Sequence, residues 1–289
     1  MCGGKKVKIR VATTSTGCLD YYDKPNDIDI IRIKIIDGAH ALLDGDTIKA
    51  DEFYERLRNN PSWVPKTSQP AIGEVVEYFE SLIKDGYEEV FVTTISNELS
   101  GTINAIKQAA EIVSDRIKVT VYDTKTVCFS EGYFALEVER LFKEGKKTED
   151  IILHLDRLKE NNTIFFAVDD LTQLVNNGRL TGAKAFFGKL LKVKPILQVQ
   201  GSGKILAVEK TRNFKKSLAL IAEYIRTYTA GRKFFAHLLY TGNPVMKEYF
   251  KTVLKDELGI EGIHEAPATP VVGAHIGPDV VGIGVFLID

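Results

Sequence analysis

Residues 70–122, PAIGEVVEYFESLIKDGYEEVFVTTISNELSGTINAIKQAAEIVSDRIKVTVY, read as helix, strand, helix, strand. Ile72, Val75, Val76, Phe79, Leu82 and Ile83 recur every three or four positions, the stripe of one buried helical face. Residues 89–95 (EVFVTTI) carry the β-branched run of a strand buried on both faces. Helical spacing returns over 101–113 through Ile103, Ile106, Ala110 and Val113, and 117–122 is another strand. Such alternation predicts a parallel sheet covered by helices on both faces.

Toward the N-terminus, residues 7–11 open a strand and 28–36 alternate apolar with polar as one half-buried strand does. Asp44-Gly45-Asp46 is a turn, residues 52–57 fit a short helix, and Pro61 and Pro65 make the chain a loop up to Thr67. Toward the C-terminus come helices over 132–142 and 151–158 and a strand over 163–168. The texture then changes. Two short helical pieces flank Asn177-Gly178-Arg179-Leu180, and 195–200 with 204–210 form a hairpin around Gly201-Ser202-Gly203. A helix (214–225), a strand (233–240), a helix (244–258) and a last strand (281–288) follow. The expected architecture is α/β in two domains. The first, 1–168, is a three-layer α/β/α unit on a parallel sheet, and the second, 169–289, is a two-layer α/β unit with a mixed sheet. Ligands favour the cleft such a pair leaves.

A length of 289 residues suits two medium domains, and 44% hydrophobic content supplies apolar surface for a core and for a pocket wall. Lys plus Arg at 38 against Asp plus Glu at 39 leaves no field that draws nucleic acid or holds an anionic membrane. No nucleic-acid partner is expected, and any membrane contact is transient. Cys2, Cys18 and Cys128 are odd in number and show no Cys-x-x-Cys spacing, which predicts a reducing, cytoplasmic setting. Neither a signal-peptide pattern nor an apolar run of about 18 residues occurs. The phosphate-binding Gly-x-x-x-x-Gly-Lys-[Ser/Thr] loop, the His-Glu-x-x-His zinc motif and the Gly-x-Ser-x-Gly elbow are all lacking. Self-contained catalysis lacks its parts, so a binding protein without metal or cofactor is expected.

Two segments suit an anion. A helix start leaves N–H groups unpaired and carries partial positive charge, and hydroxyls add donors. In Thr67-Ser68-Gln69-Pro70, Ser68 suits an N-cap and Pro70 the first turn, leaving Thr67 to point outward. Ser100-Gly101-Thr102 offers the same after the strand 89–95, with Gly101 permitting close approach to the backbone. Taken singly, each is more often only a cap. Phe186, Phe187, Leu190 and Leu191 suit an apolar wall, though such spacing is more often plain core.

Pro65-Lys66-Thr67-Ser68-Gln69-Pro70, followed about thirty positions on by Ser96-Asn97-Glu98-Leu99-Ser100-Gly101-Thr102, resembles the DegV family of bacterial lipid-binding proteins. Asp44-Gly45 before Glu52-Phe53-Tyr54, Asp123-Thr124, Gly178-Arg179-Leu180, Lys194-Pro195-Ile196-Leu197 and His275-Ile276-Gly277-Pro278 extend it in the family's order along nearly the whole chain. The resemblance implies a two-domain protein holding a long-chain fatty acid as ligand, its carboxylate bonded near Thr67 and Ser100, with Ser68 and Gly101 beside them. It places Arg179 and His275 near the head group. Some members carry the acyl chain for a separate fatty acid kinase, so a kinase catalytic subunit is an implied partner. The related substrate domains of dihydroxyacetone kinase supply the alternative, a small-ketone phosphotransfer subunit. Two motifs depart from the pattern. Thr14-Ser15-Thr16-Gly17-Cys18 lacks both acidic residues of the usual Asp-Ser-Thr-x-Asp, and Asp279 replaces the last Gly of His-x-Gly-Pro-Gly.

Overall fold

The computed structural model describes residues 7–60, 62–181 and 193–288. The first half supplies β1 (Ile9–Thr14), β2 (Ile28–Ile31), β3 (Lys34–Asp37), β4 (His40–Leu43), α1 (Ala50–Asn59), β5 (Lys66–Ser68), α2 (Ile72–Lys84), β6 (Glu89–Thr94), α3 (Thr102–Ile112) and β7 (Lys118–Asp123). Then come α4 (Phe129–Lys143), α5 (Thr148–Glu160), β8 (Asn162–Val168), α6 (Thr172–Asn176), β9 (Leu180–Thr181), β10 (Lys194–Val199) and β11 (Ile205–Thr211). The chain closes with α7 (Phe214–Thr229), β12 (Phe234–Tyr240), α8 (Pro244–Leu258), β13 (His264–Pro267), α9 (Pro270–Ile276) and β14 (Val280–Leu287).

The expected parallel sheet forms in the order β2-β1-β6-β7, with every pair parallel. Val75, Phe79 and Leu82 of α2 and Ile106 of α3 pack on one face against Val90 and Val92. Phe134, Val138 and Leu141 of α4 pack on the other against Phe91. This is the three-layer unit.

The second sheet is mixed and seven-stranded, in the order β13-β12-β14-β8-β10-β11-β9, and includes the predicted β10–β11 hairpin. Strand β8, assigned by its sequence to the first domain, lies in its middle, antiparallel to β14 and β10. The division between the two sheets therefore falls before Asn162 rather than after residue 168. An apolar run records burial on both faces and says nothing about which strand lies alongside. In β8, Phe165 and Ala167 face α7 and α8, while Ile164, Phe166 and Val168 face inward, as the two-residue period requires.

Helix α4 fills the space between the sheets. Its Tyr133 stacks on Phe235 of β12 with ring centroids 4.7 Å apart, and Phe134 meets Phe286 of β14 at 5.8 Å. The layers run α2/α3, parallel sheet, α4/α5, mixed sheet, α7/α8. The stretch 28–36 is two strands rather than one, because the chain leaves the parallel sheet after Ile31 to build a third, small sheet, β4-β3-β5. Among the described residues no helix is long and apolar enough to cross a membrane.

Candidate functional site

A cavity of about 350 Å³ lies where the carboxyl ends of β1, β6 and β7 meet the inner face of the mixed sheet, within the range of small-molecule sites. Its wall is largely apolar. Ile95, Val127, Ile164, Phe166, Leu239 and Val272 contribute to it, drawn from both sheets and from α9. Thr67, Ser68, Ser100, Gly101, Arg179 and His275, separated by up to 208 positions, all line this one cavity.

Thr67 and Ser68 arrive there by another route than the sequence suggests. They belong to the edge strand β5, with Thr67 opposite Ile35. Helix α2 begins only at Ile72, where Glu74 accepts the Ala71 N–H at 3.1 Å. Ser68 is thus not a cap, and its hydroxyl donates to the Gln69 carbonyl at 3.2 Å. Gln69, with its amide restricted to an extended backbone by Pro70, separates strand from helix. The second segment is a helix start as expected: Gly101 precedes α3, and Ser100 Oγ accepts the Thr102 N–H at 3.3 Å.

His275 sits near the end of α9, and its Nε2 shares a hydrogen bond of 2.8 Å with Thr67 Oγ1. Burial, reinforced by the charge of Arg179, lowers the imidazole to about 4, so the ring is neutral at physiological pH. Arg179, held by the turn after α6, donates from Nη1 to the Asn177 carbonyl at 2.5 Å and from Nε to the Leu99 carbonyl at 3.3 Å. It closes a helix end and also grips the loop that presents Ser100. A guanidinium has five N–H groups, so among the described residues these two bonds leave others for an anion.

The two departures find local explanations. Beside Thr14, α4 supplies a carboxyl group: Glu131 is wholly buried and bonds the hydroxyls of Thr14, Thr16 and, at 3.4 Å, Thr13. Burial raises it to about 8 against the pull of those hydroxyls, so the acid is mainly neutral at pH 7. At the other lost acid, the Cys18 thiol is buried beside that of Cys128, which lines the cavity, and burial pushes it up. Asp279 adopts φ 66°, a left-handed conformation that Asp tolerates better than most residues. Its carboxylate accepts from Asn243 Nδ2 at 2.9 Å and does not line the cavity.

Sequence reasoning missed Gln69, Thr16, Cys128 and the apolar residues of β8 and β12 as cavity residues. The Pro65-to-Pro70 motif contained Gln69, but nothing in an apolar strand marks which face meets a ligand. Phe186, Phe187, Leu190 and Leu191 lie outside the described residues.

Comparison with known proteins gives a consistent result. A DegV domain-containing protein of Listeria innocua is 30% identical over 278 residues, 96% of this chain and 97% of that one. One of Staphylococcus aureus is 31% identical over 283 residues, with 96% and 97% covered. Among solved structures, a fatty acid binding DegV family protein of Streptococcus agalactiae superposes with a TM-score of 0.87 at 26% identity, covering 98% and 100% of the two chains. DegV of Bacillus subtilis, described as a fatty acid binding protein, gives 0.84 at 30% identity with the same coverage. A stearic acid-binding protein of Eubacterium ventriosum gives 0.87 at 25% identity, covering 96% and 98%. The model of the DegV family, a family of uncharacterised proteins, matches residues 8–287. With that match spanning both sheets and the cavity between them, the chain belongs to the DegV family.

Proposed function

We propose that the cavity takes one long-chain fatty acid of the palmitate, stearate or oleate class. The observation that carries this reading is the segregation of the lining: among the described residues most polar side chains of the wall, Thr67, Ser68, Gln69, Ser100, Arg179 and His275, come from the β5, α3, α6 and α9 segments, and most of the rest is apolar. Of the other polar residues in that wall, Thr16 turns its hydroxyl to Glu131 at 2.6 Å. Ser68 and Gly101 flank the head group. The related proteins of S. agalactiae, B. subtilis and E. ventriosum, each described as binding a fatty acid, support it.

The energetics fit an amphiphile. Each methylene removed from water contributes about 0.8 kcal/mol, so a dozen give on the order of 10 kcal/mol before association costs. The hydroxyls and Arg179 then offset desolvation of the carboxylate and fix its direction. A small ketone such as dihydroxyacetone needs polar partners around its whole surface and has no use for the long apolar stretch formed by Ile95, Ile164, Phe166, Leu239 and Val272.

The protein acts as a cytoplasmic carrier rather than as an enzyme, presenting the bound acid to a separate fatty acid kinase. Arg179, a permanent cation beside a neutral His275, suits the charge that develops on phosphorylation. The test is native purification, denaturation in organic solvent and mass spectrometry of what is released, with a stoichiometric fatty acid expected. Absence of lipid, together with no calorimetric binding of palmitate or oleate, would reject the reading. Recovery of a kinase on the immobilised protein, and acyl phosphate formation on adding it with ATP, test the partner separately.

A further inference from the structure

We propose that Asp44 is a positioning residue for the head-group site, tying the small sheet that carries Thr67 to the helix that carries His275. The proposal deepens the fatty-acid reading and rests on it for its effect on binding.

Asp44, directly after β4, is fully buried and lies outside the cavity lining. Its N–H donates to the Ile33 carbonyl at 3.1 Å, and its own carbonyl accepts from Arg32 Nη1 at 2.7 Å, so its backbone is fixed to the small-sheet side. Its side chain reaches across to α9. Oδ1 accepts the Val271 N–H at 3.0 Å and Oδ2 accepts the Thr269 hydroxyl at 2.8 Å, two bonds that bridge more than 220 positions of sequence. Burial raises the acid to about 6, opposed by Ser15, Val271 and Thr269, so at neutral pH the carboxylate is ionised and acts only as an acceptor.

Those bonds close a ring. From Asp44 the chain runs back through β4 to β3, whose Ile35 faces Leu42 on one side and Thr67 on the other. Thr67 bonds His275, and His275 lies one helical turn beyond Val271. Any slip of the first turn of α9 relative to the small sheet therefore separates Thr67 from His275. A short helix of seven residues has little internal resistance to such a slip. Truncating Asp44 frees α9 at its start and leaves a buried N–H and a buried hydroxyl without their acceptor.

The experiment uses the full chain labelled with ¹⁵N-histidine, the His275 ring signals being assigned with His275→Ala, and the variants Asp44→Ala, Asp44→Asn and Leu254→Ala. Leu254 is buried in α8 on the far side of the mixed sheet and controls for lost stability. Asp44→Ala is expected to shift the His275 ring resonances in the ligand-free protein and to weaken palmitate binding about tenfold. Asp44→Asn, which keeps an acceptor for Val271, restores both toward wild type, and Leu254→Ala leaves both unchanged. If Asp44→Ala does not fold, Thr269→Val removes one of the two bonds and is expected to shift the resonances in the same direction. Unmoved His275 resonances in the folded variant overturn the proposal, as does equal weakening by Leu254→Ala. If wild type binds no palmitate, the fatty-acid reading falls, while the ligand-free resonances still decide the role of Asp44.

Discussion

At the scale of single residues, Thr67 and Ser100 line the same cavity from two different local structures. Thr67 projects from an edge strand and bonds His275; Ser100 stands before a helix and bonds the Thr102 N–H. If both hydroxyls meet the ligand carboxylate, the double change Thr67→Ala and Ser100→Ala lowers affinity by about 2 kcal/mol or more, the scale of two ordinary hydrogen bonds. Calorimetry with oleate checks this, and an unchanged dissociation constant in a folded protein removes these residues from the site. Glu131 gives a prediction of stability rather than affinity. Its carboxyl titrates near 8 in the folded chain, against the ordinary carboxylate range near 4.5 when unfolded. Between those values the folded state holds the extra proton, so this contribution to stability is full below about pH 4.5 and is lost as pH rises toward 8. Glu131→Gln lacks that slope. Chemical denaturation of both proteins across this window is expected to show wild type losing on the order of 4 kcal/mol relative to the variant. Parallel profiles would show that the carboxyl is not held neutral.

At the scale of elements, α9 is the part on which the site turns. Gly273 lets it lie against α1: a Cβ there would stand 2.5 Å from the Tyr54 hydroxyl and 2.8 Å from the Phe53 ring. Both rings are buried, and Tyr54 also donates to the Ala268 carbonyl at 2.9 Å, so neither can move aside cheaply. Gly273→Ala gains about 1 kcal/mol in helix propensity but meets an overpacking cost of about 1–3 kcal/mol. The expected net result is a lower thermal midpoint together with weaker palmitate binding, because α9 must move and carries His275 with it. A variant with the wild-type midpoint and affinity would show that the contact is looser than the geometry requires. The same helix marks where sequence reading stops. Helices α2, α3 and α8 and the β10–β11 hairpin are legible because periodic apolar residues and Gly-rich turns repeat over ten or more positions. A seven-residue helix and the three-residue strand holding Thr67 are too short to show a period. Their places come from partners far along the chain, Asp44 for one and β3 for the other. The ordered motifs named Thr67, Ser100, Arg179 and His275, which the fold brings to the lining of one cavity; the helix start expected at Thr67 and Ser68 does not form, because β-sheet pairing with Ile35 overrides the capping preference of Ser and Pro.

At the scale of the whole molecule, the two sheets do not have separate cores on their facing sides. One apolar cluster runs from Phe91 and Val11 of the parallel sheet through Phe134 and Val138 of α4 to Phe166, Leu239 and Phe286 of the mixed sheet. The cavity opens within it, lined by Ile95 from one side and by Ile164 and Phe166 from the other. A ligand there touches both halves, and losing either sheet destroys the pocket. Unfolding is therefore expected to be a single event, and a ligand that binds only the folded chain must stabilise both halves together. Free ligand at 100 times its dissociation constant adds about 2.7 kcal/mol. At about 2.1 cal/mol/K of unfolding entropy per residue, a chain of this size gains roughly 1.6 °C in midpoint per kcal/mol, giving a rise of about 4–5 °C. Scanning calorimetry of the delipidated protein, before and after adding palmitate, is expected to show one endotherm that moves upward as a whole. Two endotherms, of which palmitate moves only one, would mean that the halves unfold independently and that the ligand is held by one of them alone. The shared cluster around α4 argues against that outcome, since pulling the mixed sheet away exposes Phe134 and Tyr133 along with the cavity wall.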